Sequence, residues 1–274
     1  MPDATFSNDW LPQLQLFPPI ALAALDGESL RLLNRVDRKY VLPAAKLPAL
    51  LSRLCGHYQV LEIEGKRTFQ YATVYYDTPG LLLYQAHHNR AGNRVKIRSR
   101  QYVDSGQCFF EVKRKYAGYR TDKLRYETGQ LHQPLDEKAY AAIRQQYKRQ
   151  LLDNLQVSLR NTFRRITLVS EALGERCTID VDIAFESPDG LAAAAPGLAV
   201  VELKQRRLNP LSPMVMALRA ENIFPCSFSK YIYGLLSTRP ALKHNAFKPL
   251  LHRLERIQQD CSITSTHAFP TRPA

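Results

Sequence analysis

The chain of 274 residues has no Cys-x-x-Cys pair; its five cysteines, Cys55, Cys108, Cys177, Cys226 and Cys261, are scattered and odd in number. That excludes a zinc ribbon and a disulfide framework, and it predicts a reducing compartment, the cytoplasm. Long apolar runs are missing too. The longest, residues 191–203, is interrupted by Pro196 and Gly197 and is too short to span a bilayer. The N-terminus, with Asp3 and Asp9, lacks a basic-then-apolar leader pattern, so a soluble protein is expected. No Gly-x-x-x-x-Gly-Lys loop occurs, and Arg90-Ala91-Gly92-Asn93 lacks the spacing of a phosphate-binding loop. No local motif joins Ser or Cys to His and an acid, which leaves nucleophilic catalysis without support. His87-His88 has no third ligand at metal-site spacing and reads as a loop pair.

Acidic side chains are also scarce. Against 38 Lys and Arg there are 25 Asp and Glu, a net charge of +13, which calls for an anionic partner: nucleic acid, a membrane surface or a phosphorylated molecule. The cations are patterned. Arg94-Val95-Lys96-Ile97-Arg98-Ser99-Arg100 places a cation at every second position, one face of a β-strand. Like charges so close repel unless a polyanion lies along them. The pattern recurs in Glu111, Lys113 and Lys115, in Arg35, Asp37 and Lys39, in Glu202 and Lys204, and in Asp180 and Asp182. A solvated face would explain any one of these rows. Rows dominated by cations with a minority of acids instead suit phosphate oxygens and a divalent metal bridging them. They alternate mainly with Val, Ile and Phe, as core strands do, and this argues against an open nucleic-acid face with interleaved stacking aromatics. Lys243, Lys248, Arg253 and Arg256 read as a solvated basic helix.

Strands are predicted at 35–42, 68–76, 93–103, 108–115, near 121–127, and at 157–170, 176–186 and 198–205. Helices are predicted at 44–55, about 134–152, 211–222, 229–237 and 249–259, with one short helix in the first thirty or so residues. Antiparallel strands joined mostly by hairpins, with helices between them, predict an α+β fold whose sheet closes into a barrel with flanking helices. Closure would turn the charged rows into the lining of a tunnel. The predicted organisation is an arm at 1–34, a tunnel domain at 35–236, and a helix and polar tail at 237–274.

Arg35-Val36-Asp37-Arg38-Lys39-Tyr40, Tyr75-Tyr76-Asp77-Thr78, Lys96-Ile97-Arg98-Ser99-Arg100, Glu111-Val112-Lys113-Arg114-Lys115, Phe163-Arg164-Arg165, Val201-Glu202-Leu203-Lys204 and Phe228-Ser229-Lys230-Tyr231 follow one another in this order. Together they resemble the vacuolar transporter chaperone (VTC) catalytic domain, a polyphosphate polymerase of the triphosphate tunnel metalloenzyme superfamily. The resemblance implies that Lys39, Lys96, Arg98, Arg100, Lys113, Lys123, Arg165 and Lys230 are the catalytic cations that bind phosphates in the tunnel. Arg35, Arg94, Lys115, Lys204 and Ser229 would assist in holding substrate. Glu202 would hold Mn2+ or Mg2+, with Glu111 and Asp180 at the same end, and Tyr40 and Tyr231 would pack beside the site.

The implied reaction transfers the γ-phosphate of ATP to a growing polyphosphate chain. The alternatives are a tunnel triphosphatase and a non-catalytic receptor for polyphosphate or inositol phosphates. Nucleic acid is not an expected partner; a separate membrane protein that receives the product is compatible with the reading. Hydrolytic members of the superfamily begin with Glu-x-Glu-x-Lys, where this chain has Arg35, Asp37 and Lys39. The exchange removes a metal ligand and adds a phosphate clamp, which favours a transferase over two-metal hydrolysis. Ser227 stands where polymerase members can carry Lys.

Overall fold

A computed structural model describes residues 8–26, 35–116, 121–131, 135–147, 152 and 154–265; side chains of 146 and 260–265 are not among them. The alternation at 94–100 forms a strand, β5 (Arg94–Tyr102), whose Val95, Ile97 and Ser99 are buried on one face. It belongs to an 11-stranded sheet. The main path runs β2 (Val36–Pro43), β11 (Leu198–Gln205), β9 (Glu175–Glu186), β8 (Gln156–Ser170), β4 (Phe69–Asp77), β5, β6 (Cys108–Lys115) and β7 (Thr121–Thr128), with every neighbour antiparallel. Short strands β1 (Pro19–Ile20), β3 (Gln59–Leu61) and β10 (Ala192–Ala195) pair beside this path.

Each face of the sheet has its own apolar covering. Tyr40, Leu42, Ile166, Leu168, Ile179, Val201 and Leu203 face outward, packed by α1 (Leu11–Leu14), α2 (Leu47–Leu54) and α5 (Pro213–Ala220). Trp10, Leu14 and Phe17 of the N-terminal arm are buried in that same core. Farther round, α4 (Glu137–Gln146) covers Val74, Tyr76, Val95, Ile97, Phe110 and Val112. The opposite parity points inward. There Val41, Tyr75, Leu159, Phe163, Ile183, Phe185 and Val200 are covered by α6 (Lys230–Thr238) and by Leu254 and Ile257 of α7 (Lys248–Ser265). One end of the concave face is therefore apolar and filled by helices, and the charged residues occupy the rest. Among the described residues no helix is long and apolar enough to cross a membrane.

Three expectations need correction. The sheet is not a closed barrel: among the described residues β2 pairs with β11 and β7 with β6, with no β2–β7 ladder. The free edge of β2 is taken up instead by the segment before α6, where Cys226 N–H donates to the Lys39 carbonyl at 2.8 Å. Inward cations on the approaching strands, Lys39 against Lys113, also repel. Second, Asp180 and Asp182 do not share a face. A bulge opposite Phe163 gives Asp182 a φ of 53° and turns it outward to Arg164, so that Val181 packs outside and Ile183 inside. Third, His87 and His88 lie not in a loop but in the last turn of α3 (Leu82–His88).

Candidate active site

The site is built by strand parity. Register aligns Lys39 with Glu202, Lys96 with Lys113, Lys113 with Lys123, Arg98 with Glu111, and Arg165 with Asp180. All these side chains therefore enter the concave face between strands. They sort into three groups according to what neutralises them.

In the first, Glu111 is 3% exposed and gathers Arg98, whose Nε donates at 2.6 Å, together with Lys123 and, at 3.9 Å, Arg125. Burial would raise the Glu111 pKa, but Arg98, Arg100 and Lys123 outweigh it and hold the carboxyl well below its usual range. In the second, Asp180 is gripped bidentately by Arg165, at 2.6 and 2.9 Å, and by Lys230 from the start of α6. Burial again opposes ionisation and the cations again prevail. Phe163 and Tyr71, stacked at 5.2 Å, floor this region beneath Arg165 and Arg100.

The third group is least neutralised. Lys39 reaches Glu202 only at 3.5 Å, and Lys204 reaches the other oxygen of Glu202 at 3.4 Å. Lys96 Nζ donates to Ser229 Oγ at 2.9 Å. Burial, then Lys39, Lys113, Arg98 and Arg94, pull the Lys96 pKa from 10.5 down to about 7. Lys113 is lowered by burial and by Lys39. Lys39, Lys96 and Lys113 line a cavity of about 1650 Å³ together with Arg35, Arg94 and Lys115. Arg94 and Lys115 are register partners, and Arg35 is paired with Asp37 at 2.8 Å.

The predicted metal trio does not assemble. Among the described residues no three His, Cys, Asp or Glu side chains come together, because Glu111, Asp180 and Glu202 each sit within their own set of cations. Glu202 is the least committed of the three, its partners standing 3.4 to 3.5 Å away. Divalent cations on phosphate chains commonly use only one or two carboxylates, with phosphate oxygens supplying the rest of the shell. The donor set fits an ion that arrives with its phosphates.

Several residues of the site were not among the predicted ones. Arg125 lies over the Phe109 ring at 3.7 Å and donates to Tyr102 Oη at 3.0 Å; its parity with Lys123 was the available signal. Arg253, read as part of a solvated helix, lines the cavity and donates to the Phe224 carbonyl at 3.1 Å. His87 also lines it, held neutral with a pKa near 3 by burial and by Lys96, Arg94 and Lys115. Asp77 is structural. Its carboxylate accepts from the backbone N–H of Thr78 at 2.7 Å and of Leu83 and Tyr84 at 2.9 Å, and from the Tyr231 hydroxyl, fastening α3 and α6 to the end of β4. Tyr231 thus packs beside the site, whereas Tyr40 is buried in the outer core.

An open, curved antiparallel sheet with a cationic lumen defines the class: a β-channel protein. The family model of the VTC domain matches residues 34–239, and the chain belongs to that family. Solved structures similar to it include a Hippeastrum protein assigned as an adenylyl cyclase and described as having a dominant triphosphatase activity, 14% identical over 72% of this chain and 93% of that one, with a TM-score of 0.44. A Vibrio parahaemolyticus protein assigned as an adenylate cyclase is 15% identical over 80% and 97%, with a TM-score of 0.38. A conserved hypothetical protein of Pyrococcus furiosus is 11% identical over 70% and 98%, with a TM-score of 0.37. No curated protein matches the chain.

Proposed function

We propose that this protein is a phosphotransferase that moves the γ-phosphate of ATP onto the end of an inorganic polyphosphate chain. The observation that carries this reading is the convergence of Lys39, Lys96 and Lys113 on one cavity, with Glu202 loosely held by Lys39 beside it. Three ammonium groups forced together are relieved by an anion that spans them. Arg98 and Arg165, each already fixed by a carboxylate, offer rigid guanidinium forks deeper in the channel.

The chemistry is an in-line displacement. A terminal oxygen of the acceptor chain attacks the γ-phosphorus, the bond to the β–γ bridging oxygen breaks, and ADP leaves with that electron pair. Lys39, Lys96 and Lys113 hold the transferring phosphoryl group and neutralise the charge that spreads over its oxygens. Ser229 orients Lys96, and Arg98 and Arg165 align the acceptor. Glu202 would hold a divalent ion, which when bound supplies Lewis-acid neutralisation of the bridging oxygens. No covalent enzyme intermediate is needed.

A second reading, a receptor for polyphosphate or inositol phosphates, is favoured by the saturation of Glu111 and Asp180 with cations, which leaves only Glu202 of the three predicted carboxylates for a metal. Incubation of the pure protein with ATP and Mn2+ or Mg2+, followed by gel electrophoresis, tests both. Long chains support the transferase, and Glu202→Gln should abolish them while retaining tripolyphosphate binding. Free phosphate alone would replace the transferase with a triphosphatase, and binding without turnover would leave the receptor.

A further inference from the structure

Two neighbouring turns at one end of the sheet hold leucines out in solvent. Between β11 and α5 the chain reads Arg206-Arg207-Leu208-Asn209-Pro210-Leu211, with Leu208 48% and Leu211 75% exposed and both arginines at the surface. The turn between β8 and β9 adds Leu173, 39% exposed. It lies against the first, for a Cβ at Gly174 would stand 3.4 Å from Arg206 Cδ. The longer loop is pinned at both ends on one buried carboxylate. Glu175 accepts from Gln205 Nε2 at 2.6 Å on one side of the loop and from Ser212 Oγ at 2.9 Å on the other, with Tyr58 Oη donating at 2.6 Å. Within the loop Asn209 closes a turn, its Oδ1 accepting from Leu211 N–H at 3.0 Å and its carbonyl from Ser212 N–H at 3.3 Å, and Pro210 restricts the backbone further. A loop held in this way keeps its leucines in water, which is unfavourable unless something covers them.

The size and charge of the patch select its partner. A stable protein interface engages about 20–30 residues a side, far more than three leucines and two arginines. A bilayer requires no matching surface: a few apolar side chains enter the boundary beneath the head groups while cations meet the phosphates above them. Arg206 and Arg207 outnumber the one acid of these two turns, Glu171, and the net charge of +13 draws the chain toward anionic surfaces. We propose that the two turns form a membrane-docking tip, in which Leu173, Leu208 and Leu211 enter the interfacial layer of an anionic bilayer and Arg206 and Arg207 pair with lipid phosphates. The association is peripheral, and it is independent of the reaction in the channel. Neither signal suffices alone, since the charge gives only loose attraction and the apolar contact is small.

The test is co-sedimentation of the full chain with vesicles of phosphatidylcholine, with and without phosphatidylserine. The wild type is expected to bind the phosphatidylserine vesicles and to leave the neutral ones. The double variant Leu208→Ser, Leu211→Ser keeps every charge, yet its partitioning should fall by about tenfold or more. Arg206→Gln with Arg207→Gln should lower it by about fivefold or more. All these side chains are at the surface, so Tm and tripolyphosphate affinity should stay at the wild-type values. Leu211→Trp should bind at least as well as the wild type, and its fluorescence should shift to the blue on the anionic vesicles and be quenched by brominated lipid. Trp10, the only native tryptophan, is buried and supplies a constant background. Equal partitioning of the wild type and the leucine variant would mean attraction by net charge alone and overturn the tip, as would failure of the wild type to bind. A wild-type dimer that the leucine variant cannot form, with no vesicle binding by either, would give the patch to a second copy of the chain and overturn it equally.

Discussion

Lys96 on β5 and Ser229 at the start of α6, 133 residues apart in sequence, are joined by a 2.9 Å hydrogen bond. This bond sets the helix that fills the apolar end of the channel directly against the cations of the charged end. Ser229 also caps α6, accepting from the Ile232 N–H at 3.4 Å, so one hydroxyl serves both the helix and the lysine.

That lysine makes polyanion binding depend on pH. With a pKa near 7, set by burial and by Lys39, Lys113, Arg98 and Arg94, Lys96 is charged below neutrality and loses its proton as the pH rises. A bound polyanion favours the charged form, so binding takes up a proton, and affinity for tripolyphosphate falls by up to about tenfold per pH unit above neutrality. Lys96→Arg remains charged and should show a shallower dependence. Titration calorimetry in buffers of different ionisation enthalpy measures the uptake directly. Both proteins see the same ionisation of the phosphate, so the difference between them isolates the lysine.

Removal of Glu111 should convert a self-sufficient cluster into one that needs ligand. In Glu111→Gln, the partly buried guanidinium of Arg98 loses its counter-charge, and breaking such pairs costs about 3–5 kcal/mol when burial is complete and less here. The Glu111 pKa is depressed, so its contribution is present above the usual carboxylate range and lost only as acid approaches the lower folded value. At neutral pH the variant should melt earlier. Saturating tripolyphosphate should raise its Tm by more than it raises that of the wild type. An equal rise in both would show that Glu111 does not shield these cations.

Gly234 in α6 faces the sheet so closely that an added Cβ would stand 2.3 Å from Phe185 Cδ1 and 2.6 Å from Leu159 Cδ2. Glycine to alanine inside a helix ordinarily stabilises by up to about 1 kcal/mol. Here overpacking reverses the sign, and Gly234→Ala should destabilise by about 1–3 kcal/mol. Displacement of α6 also draws Ser229 away from Lys96, so tripolyphosphate affinity should drop with stability. Chemical denaturation and titration on the same sample check both effects.

Much of this arrangement was legible because side chains in strands alternate. The strand at residues 198–205 is found with the predicted bounds, and the charged rows enter the concave face except where the bulge at Asp182 resets the parity. A bulge leaves no mark in the alternation of types, since Asp180 and Asp182 look equivalent. The segment Ala192–Ala195 carries no strand-favouring side chain, and its pairing with β9 is imposed from outside. Helix α3 is short and held by Asp77, an acceptor whose distant donor, Tyr231, local sequence cannot reveal. The carboxylates were the hardest to read. A Glu among lysines looks the same on paper whether it waits for a metal or is already satisfied, and only the cross-strand register placed Arg98 on Glu111 and Arg165 on Asp180.

The missing ladder between β2 and β7 makes the channel a cuff and not a pipe. A closed barrel can widen only by breaking main-chain hydrogen bonds in sequence along a strand. In this protein, among the described residues, no strand ladder ties β2 to β7, and the edge of β2 is met by the Cys226 segment, so parting the two margins breaks no ladder between them. Across the gap, Lys39 and Lys113 repel each other. An anion lying between Lys39 and Lys113 would draw the margins together without costing a strand-to-strand hydrogen bond.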